Sequence, residues 1–151
     1  MSTTATKKIR QPIKVILIGK HGVGKSSIVH QFVKQSFLEE SVPTVSVDLE
    51  CKEIRLGSNE TVDLQVWDTA GQEKYKCYLN VFCQGTAACI LVYNITDRRS
   101  FDQLDAWLEE AKDKSPEDAI FVLVGNQSDL ETKREITYEE GEDYHQNKNL
   151  D

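Results

Sequence analysis

Residues 19–26 combine glycines, a lysine and a serine at the spacing G-x-x-x-x-G-K-[ST], which is typical of a phosphate-binding loop. Glycines let backbone N–H groups converge on phosphate oxygens, and the N-terminus of a following helix adds about half a positive charge. Lys25 is expected to reach the β- and γ-phosphates, and the Ser26 hydroxyl to ligate Mg²⁺. A coincidental glycine-rich turn is the alternative, but a strand before the motif and a helix after it favour phosphate binding. The predicted nucleotide-binding residues of the loop are Gly22, Val23, Gly24, Lys25, Ser26 and Ser27.

A carboxylate, Asp68, stands at the end of a second patterned stretch, residues 61–67, in which apolar and polar side chains alternate. An acid at the end of a strand is where a protein with a phosphate-binding loop holds its second magnesium-organising group, often through water. A solitary Asp at such a position is more often a turn or helix cap. The assignment to a metal site therefore depends on the residues that follow it.

Apolar patterns predict the elements that would position these groups. The predicted elements are strands at 13–18, 45–56, 61–67, 87–93 and 120–124, and helices at 25–36, up to about 84, from a capping box at Ser100 and from a capping box at Thr137. In the first helix, Ile28 and Phe32 are expected to face inward, with Val29 and Val33 as further candidates. The order indicates an α/β fold with a mostly parallel sheet, helices on both faces and one antiparallel edge strand. Ligands of such folds bind beyond the carboxyl ends of the strands, which selects the loops after residues 18, 67, 93 and 124.

The composition is that of one globular domain, because the chain has 151 residues, of which 39% are hydrophobic and 28% charged. The net charge is −7, yet residues 1–38 contain seven Lys or Arg and no Asp or Glu. The negative net charge of the chain argues against nucleic-acid binding, whereas the basic residues 1–38 suit a small anionic ligand. No apolar run approaches the roughly 20 residues that span a bilayer, and residues 1–14 lack the apolar core of a signal peptide. None of the four cysteines forms a C-x-x-C pair, so no zinc site is expected.

Residues 67–73 read WDTAGQE, and with this motif the sequence resembles the Ras-like small GTPases, in particular the Rab branch. Residues 82–86, 90–96 and 100–101 also look like Rab segments, so the resemblance runs from about residue 13 to the end. It implies a P-loop NTPase fold with a six-stranded type of sheet and a GTP-binding domain over residues 12–151, while residues 1–11 are predicted to form a flexible arm. The sequence stops at Asp151, before the last strand and helix of that fold, so both are expected to be absent.

The resemblance also implies roles for the two loops that sense the terminal phosphate. Gly71 would donate its N–H to the γ-phosphate, and Gln72 would orient the attacking water as the catalytic residue. Thr44 would give its hydroxyl to Mg²⁺ and its N–H to the γ-phosphate, while Phe37 would pack against the guanine ring. The implied metal ligands are Ser26, Thr44 and Asp68.

Residues 124–129 resemble the NKxD motif with which the family selects guanine. The Asp129 carboxylate would accept hydrogen bonds from N1–H and the 2-amino group of guanine, which adenine cannot offer. Asn126 belongs to the same motif, and a polar loop cap is the alternative reading of these residues. Gln127 replaces the family's Lys, whose stem lies along the base and whose charge ties to the phosphate loop. Because Gln is shorter and neutral, weaker affinity and faster nucleotide release are predicted.

Two further features set expectations for activity. His21 occupies a loop position where the family has Gly or another small residue, close to where the γ-phosphate and Gln72 must meet. With this ring in place and no candidate for an arginine finger in the same chain, weak intrinsic GTPase activity is expected. The resemblance implies an aromatic effector surface, to which Leu49, Trp67 and Phe82 correspond, although these residues could equally be ordinary core.

The sequence thus predicts a Rab-like GTPase that binds GTP or GDP with Mg²⁺ and acts as a molecular switch in intracellular vesicle trafficking. Its implied partners are effectors, exchange factors and GTPase-activating proteins, which would contact the switch regions. The implied location is the cytoplasm, including the cytoplasmic face of endomembranes, with membrane association only through a lipidated tail beyond this chain. One alternative is a degenerate GTPase that serves as a nucleotide-binding or protein-interaction module with little or no hydrolysis. An ATP-using P-loop kinase is another, and Asn126 and Asp129 argue against it.

Overall fold

The computed structural model describes residues 11–37, 44, 47–57, 60–69 and 78–151. The strands are β1 (Ile13–Ile18), β2 (Asp48–Leu56), β3 (Glu60–Asp68), β4 (Ala88–Asn94) and β5 (Ile120–Asn126). The α-helices are α1 (Lys25–Lys34), α2 (Leu79–Cys83), α3 (Arg98–Asp102), α4 (Leu104–Lys114) and α5 (Tyr138–Lys148), with a 3₁₀ helix at Ser128–Lys133. The predicted arm at residues 1–11 lies outside these ranges except for its last residue.

The five strands form one sheet in the order β2-β3-β1-β4-β5. Strand β1 pairs in parallel with β3 and β4, and β4 pairs in parallel with β5. Strand β2 pairs antiparallel with β3 along the whole hairpin, from Asp48 opposite Asp68 to Leu56 opposite Glu60. The predicted mostly parallel sheet with one antiparallel edge strand is therefore confirmed.

Hydrophobic side chains fill both faces of the sheet, because successive residues of a strand point to opposite sides. Ile16 and Ile18 of β1 belong to the cluster that contains Leu104 and Trp107 of α4. Leu17, which lies between them in the strand, packs in a second cluster with Val29 of α1. Helices thus cover both faces of the sheet, as the apolar strands predicted.

The predicted inward face of α1 is only partly correct. Val29 is buried and Ile28 packs against the same cluster, whereas Phe32 remains 38% exposed. The Lys52 ammonium lies 4.3 Å from the centre of the Phe32 ring and donates to the Phe32 carbonyl. Phe32 therefore contacts a side chain of the neighbouring strand β2 at the rim of the sheet, and the charged end of Lys52 keeps that contact at the surface.

The helix start predicted at Ser100 is wrong. Helix α3 begins at Arg98, and Asp97 is its N-cap, with a carboxylate oxygen that accepts from the Arg99 N–H at 3.1 Å. Ser100 is fully buried and donates its hydroxyl to the Asp97 carbonyl at 2.7 Å. Asp97 caps the helix because its backbone is still extended, whereas Ser100 already lies within the first turn.

The capping box predicted at Thr137 is confirmed. The Glu140 N–H donates to the Thr137 hydroxyl at 3.1 Å, and the Thr137 N–H donates to the Glu140 carboxylate at 2.8 Å. Among the helices within the described ranges, none is both long enough and apolar enough to cross a membrane.

Candidate nucleotide-binding site

The loops predicted to bind a ligand meet at one edge of the sheet, beyond the carboxyl ends of β1, β3, β4 and β5. The parallel register places Leu17 beside Asp68 and Ile18 beside Leu91. Asn94 likewise lies beside Asn126 at the ends of β4 and β5. Side chains that are up to about a hundred residues apart in the sequence therefore converge on the phosphate loop, as the Asn126 contact below shows.

Two glycines of the phosphate loop are required by close approach as well as by backbone conformation. Gly19 has φ +140°, and a Cβ there would lie 2.2 Å from the Val92 carbonyl oxygen. Gly24 has φ +94°, and a Cβ there would lie 2.3 Å from Nδ2 of Asn126. Gly24 is also the N-cap of α1, where it supplies no side-chain acceptor, and the first turn of α1 contains no acid. The helix N-terminus can therefore receive an external anion, which is the chemistry predicted for this loop.

Lys25 extends from α1 back under the loop. It is only 5% exposed, and its Nζ donates to the carbonyls of Gly19 at 2.9 Å and Lys20 at 3.1 Å. Burial lowers the pKa of Lys25 to about 8, although the nearby Asp68 carboxylate opposes that shift. A phosphate beside this ammonium would compensate for the lost hydration and raise its pKa again.

Three oxygen-bearing side chains meet next to Lys25. The Ser26 hydroxyl donates to Oδ2 of Asp68 and lies 2.7 Å from Oγ1 of Thr44. Asp68 is 3% exposed, and its other oxygen, Oδ1, is buried without a hydrogen-bond partner among the described residues. Burial raises the pKa of Asp68, against the opposing effects of the Ser26 hydrogen bond and the Lys25 charge.

A buried carboxylate oxygen without a partner is costly, so the arrangement fits a ligand that would satisfy it. Hydroxyl and carboxylate oxygens are the donors that Mg²⁺ takes from proteins, and Mg²⁺ keeps several waters of its own. Ser26, Thr44 and Asp68, the three residues predicted to form the metal site, therefore lie together and have the right chemistry. They would hold the ion next to the place where phosphate oxygens reach Lys25.

Two side chains of the segment at and after the end of β5 also donate hydrogen bonds to the phosphate loop. Asn126 donates from Nδ2 to the Val23 carbonyl at 2.9 Å. Gln127, in a left-handed backbone conformation with φ +66°, donates from Nε2 to the Gly22 carbonyl at 3.3 Å. The Gln127 amide thus makes an uncharged contact with the phosphate loop, and the weaker affinity predicted for this position stays a prediction.

The residues predicted to contact the base are open to solvent. Asp129 lies in the 3₁₀ helix with an exposed side chain, and Phe37 is 72% exposed. Ser27, in the first turn of α1, is half-buried, and His21 is exposed at the front of the phosphate loop. Gly71 and Gln72 lie outside the described residues, so their predicted roles stay predictions.

Thr69 is a positioning residue that the sequence reasoning missed. It is buried, and its hydroxyl donates to the Leu17 carbonyl at 2.6 Å. The bond ties the chain directly after Asp68 to the strand that leads into the phosphate loop. The signal was present in the sequence, since Thr69 is part of the WDTAGQE motif.

The three residues predicted to form the effector surface differ in burial. Leu49 is exposed and lies opposite Trp67 across the β2–β3 hairpin. The Trp67 ring is half-buried, 6.2 Å from the Phe82 ring centre to centre, and the Lys14 ammonium lies 4.6 Å from its centroid. Tyr78, four residues before Phe82, is exposed as well. Leu49 is exposed, as a surface residue would be, whereas Trp67 packs against the core cluster that contains Trp107, so both readings stay open.

Comparisons with known proteins agree with this geometry. The model of the Ras family matches residues 14–151. The Ras-related protein RabC of Dictyostelium discoideum is 41% identical over 131 residues, which are 86% of this chain and 67% of that protein. RABA4c of Arabidopsis thaliana is 36% identical over 144 residues, 95% of this chain and 64% of its own length. Human Rab-4B is 36% identical over 137 residues, 91% of this chain and 64% of its own length.

The chain thus spans about two thirds of the length of these curated relatives. The match nevertheless includes the phosphate loop, Ser26, Asp68 and the Asn126 loop, which the structure brings together at one edge of the sheet. The chain therefore belongs to the Ras family and is Rab-like in sequence.

Proposed function

We propose that this chain binds guanine nucleotide with Mg²⁺ and hydrolyses GTP as a molecular switch. The observation that carries the proposal is the unpartnered Oδ1 of Asp68, buried beside the Ser26 and Thr44 hydroxyls and the Lys25 ammonium. A triphosphate tail with its metal would supply a cation for the Oδ1 atom of Asp68 and phosphate oxygens for the Lys25 ammonium. When bound, Mg²⁺ would neutralise charge on the phosphate oxygens.

Guanine is the base that fits the loop after β5. The exposed Asp129 carboxylate is an acceptor, and N1–H and the 2-amino group of guanine are the matching donors. Adenine has no such donors, so it would leave the carboxylate without a partner. Asn126 holds the loop in register by its bond to Val23, which couples base recognition to the phosphate site.

The switch would operate through Thr44 and Gly71. The Thr44 hydroxyl already lies within hydrogen-bond distance of Ser26, so the segment that carries it can sense the metal and the γ-phosphate together. Loss of the γ-phosphate would remove contacts from both residues and let their loops change conformation. Gln72 would orient the attacking water. We expect hydrolysis to be slow without an activating protein, because the sequence offers no candidate for an arginine finger.

The partners and location follow from the Rab-like sequence. We expect effectors, exchange factors and GTPase-activating proteins to bind the switch regions, including the surface formed by Leu49, Trp67 and Phe82. The expected cellular role is in vesicle trafficking at the cytoplasmic face of endomembranes. A degenerate GTPase that never cycles is the second candidate, since His21 stands where the family has Gly or another small residue. Its other argument, the missing Lys at position 127, is weakened by the bond from Gln127 to Gly22.

The decisive experiment is to denature the purified protein and identify any released nucleotide by chromatography, followed by single-turnover hydrolysis of added GTP. Released GDP or GTP together with measurable hydrolysis supports the switch. Guanine nucleotide without hydrolysis, even with an activating protein, supports the degenerate module. Adenine nucleotide, or no binding of either nucleotide with Mg²⁺ by calorimetry, contradicts the proposal.

A further inference from the structure

The phosphate loop contains a second lysine, Lys20, which the phosphate-binding motif does not require. Its Nζ lies 2.6 Å from Oδ2 of Asp97, in the turn between β4 and α3. The two side chains are 29% and 32% exposed, so the ion pair is neither buried nor fully open to solvent. It joins the phosphate loop to a turn that is 77 residues away in the sequence.

Asp97 uses its two carboxylate oxygens for two separate contacts. Oδ1 accepts from the Arg99 N–H and caps α3, whereas Oδ2 accepts from Lys20. The backbone N–H of Asp97 also donates to the Asn94 carbonyl at 3.0 Å, which fixes the turn to the end of β4. Although partial burial opposes the shift, the Lys20 ammonium and the backbone N–H groups hold the pKa of Asp97 below its usual value. These contacts fix the negatively charged Asp97 side chain in a position that faces the phosphate loop.

The position of Lys20 also matters for the site itself. Its carbonyl is one of the two acceptors that hold Lys25, so a shift of the backbone at residue 20 would displace the buried ammonium. On the opposite side of the loop, Asn126 and Gln127 hold the carbonyls of Val23 and Gly22. The side-chain amides of Asn126 and Gln127 therefore hold the loop from the β5 side, and the Lys20–Asp97 ion pair holds it from the β4 side.

We propose that the Lys20–Asp97 ion pair fixes the phosphate loop in its nucleotide-binding conformation and thereby slows the release of guanine nucleotide. Lys20 is then a positioning residue that acts through Lys25 and the loop backbone, and not a ligand of the phosphates. The proposal rests on the guanine-nucleotide binding proposed above. It predicts that removing either charge has the same effect.

The test measures the release of a fluorescent GDP analogue, in the presence of Mg²⁺, from the wild type and from Lys20→Met, Asp97→Asn and the double variant. Asn is as good an N-cap as Asp, so Asp97→Asn removes the charge and keeps the cap of α3. We expect each single variant to release the analogue about 2–5-fold faster, as the worth of a partly exposed ion pair allows. The double variant should be no faster than the singles, because both remove the same interaction.

Three comparisons separate positioning from a general structural effect. Lys20→Arg should retain the wild-type release rate, and 1 M salt should accelerate release from the wild type more than from Lys20→Met. Lys148→Met is the matched control, because it breaks a similarly exposed pair with Asp105 at 2.8 Å, away from the site. That variant should leave release unchanged.

The outcomes separate failure of the positioning proposal from failure of the proposed nucleotide binding. If Lys20→Met speeds release while Asp97→Asn slows it, Lys20 is a phosphate ligand that Asp97 restrains, and the positioning proposal is wrong. Unchanged release in both variants also overturns it, while leaving nucleotide binding intact. If not even the wild type binds the analogue, the proposed function fails and this inference fails with it.

Discussion

The phosphate end and the base end of the candidate site are built differently. At the phosphate end, Lys25 and Asp68 are almost completely buried, and Lys25 is fixed by two backbone carbonyls. At the base end, Phe37 and Asp129 are exposed, and Gln127 reaches the loop through one neutral bond of 3.3 Å. Electrostatic interactions are stronger where water is excluded. The phosphate end should therefore supply most of the affinity, and the base end should mainly choose which nucleotide binds.

The largest effect should come from Lys25→Met, which keeps the length of the stem and removes the buried charge. We expect the affinity for GDP to fall about 100-fold or more, as is typical when one partner of a desolvated charge pair is lost. Lys34→Met, in the exposed last turn of the same helix, should leave the affinity unchanged. Calorimetry measures both, and equal affinities for the two variants would show that the phosphate end does not dominate.

A pH titration tests the same end of the site without a mutation. Because the pKa of Lys25 is lowered to about 8 in the free protein, the ammonium begins to lose its proton above that pH. Phosphate favours the protonated form, so the affinity for GDP should fall as pH rises above 8, by up to about tenfold per pH unit. Below pH 8 this contribution should be constant. Affinity that stays flat from pH 8 to 9.5 would contradict a charged Lys25 contact.

At the base end, the effects should be smaller and should separate Gln127 from the lysine typical of the family. Gln127→Ala removes the bond to Gly22 and should speed GDP release by about 3–10-fold, the worth of one hydrogen bond. Gln127→Lys should slow release relative to the wild type. Stopped-flow release of a fluorescent GDP analogue measures both. No change in Gln127→Lys would show that the neutral amide already does what the charge would do.

The smallest effect is expected at His21, which lies at the front of the loop and is exposed. If the ring crowds the γ-phosphate, His21→Ser should raise single-turnover GTP hydrolysis by a few-fold, on the order of 1 kcal/mol in the barrier. Release of GDP should not change, since the ring is expected near the γ-phosphate, which GDP lacks. Hydrolysis that is no faster in this variant argues against the steric explanation.

Much of this site could be predicted from the sequence because its chemistry depends on short local patterns. The glycine and lysine spacing identified Lys25 and Ser26, and the alternating strand placed Asp68 at its carboxyl end. Contacts across the fold could not be read in this way. The buried bond from Thr69 to Leu17 and the ion pair between Lys20 and Asp97 depend on which loops become neighbours in three dimensions.

The errors have a common physical origin in competition between nearby groups. Ser100 matches a capping box, yet Asp97 takes the cap because it stands where the extended chain enters the helix. Phe32 matches the apolar period of α1, yet Lys52 covers its ring at the rim of the sheet. The weaker affinity predicted from Gln127 is not one of these errors and stays a prediction, since the neutral amide reaches Gly22 but carries no charge.

The most direct test of the account is the dependence of GDP release on Mg²⁺ in the wild type and in Asp68→Asn. If Asp68 organises the metal, chelating Mg²⁺ should speed release from the wild type by about 10–100-fold. Asp68→Asn should release GDP quickly with or without Mg²⁺, whereas Asp63→Asn, an exposed position on the same strand, should behave as the wild type. A rate of GDP release from the wild type that does not depend on Mg²⁺ would contradict the assignment of Ser26, Thr44 and Asp68 to a metal site.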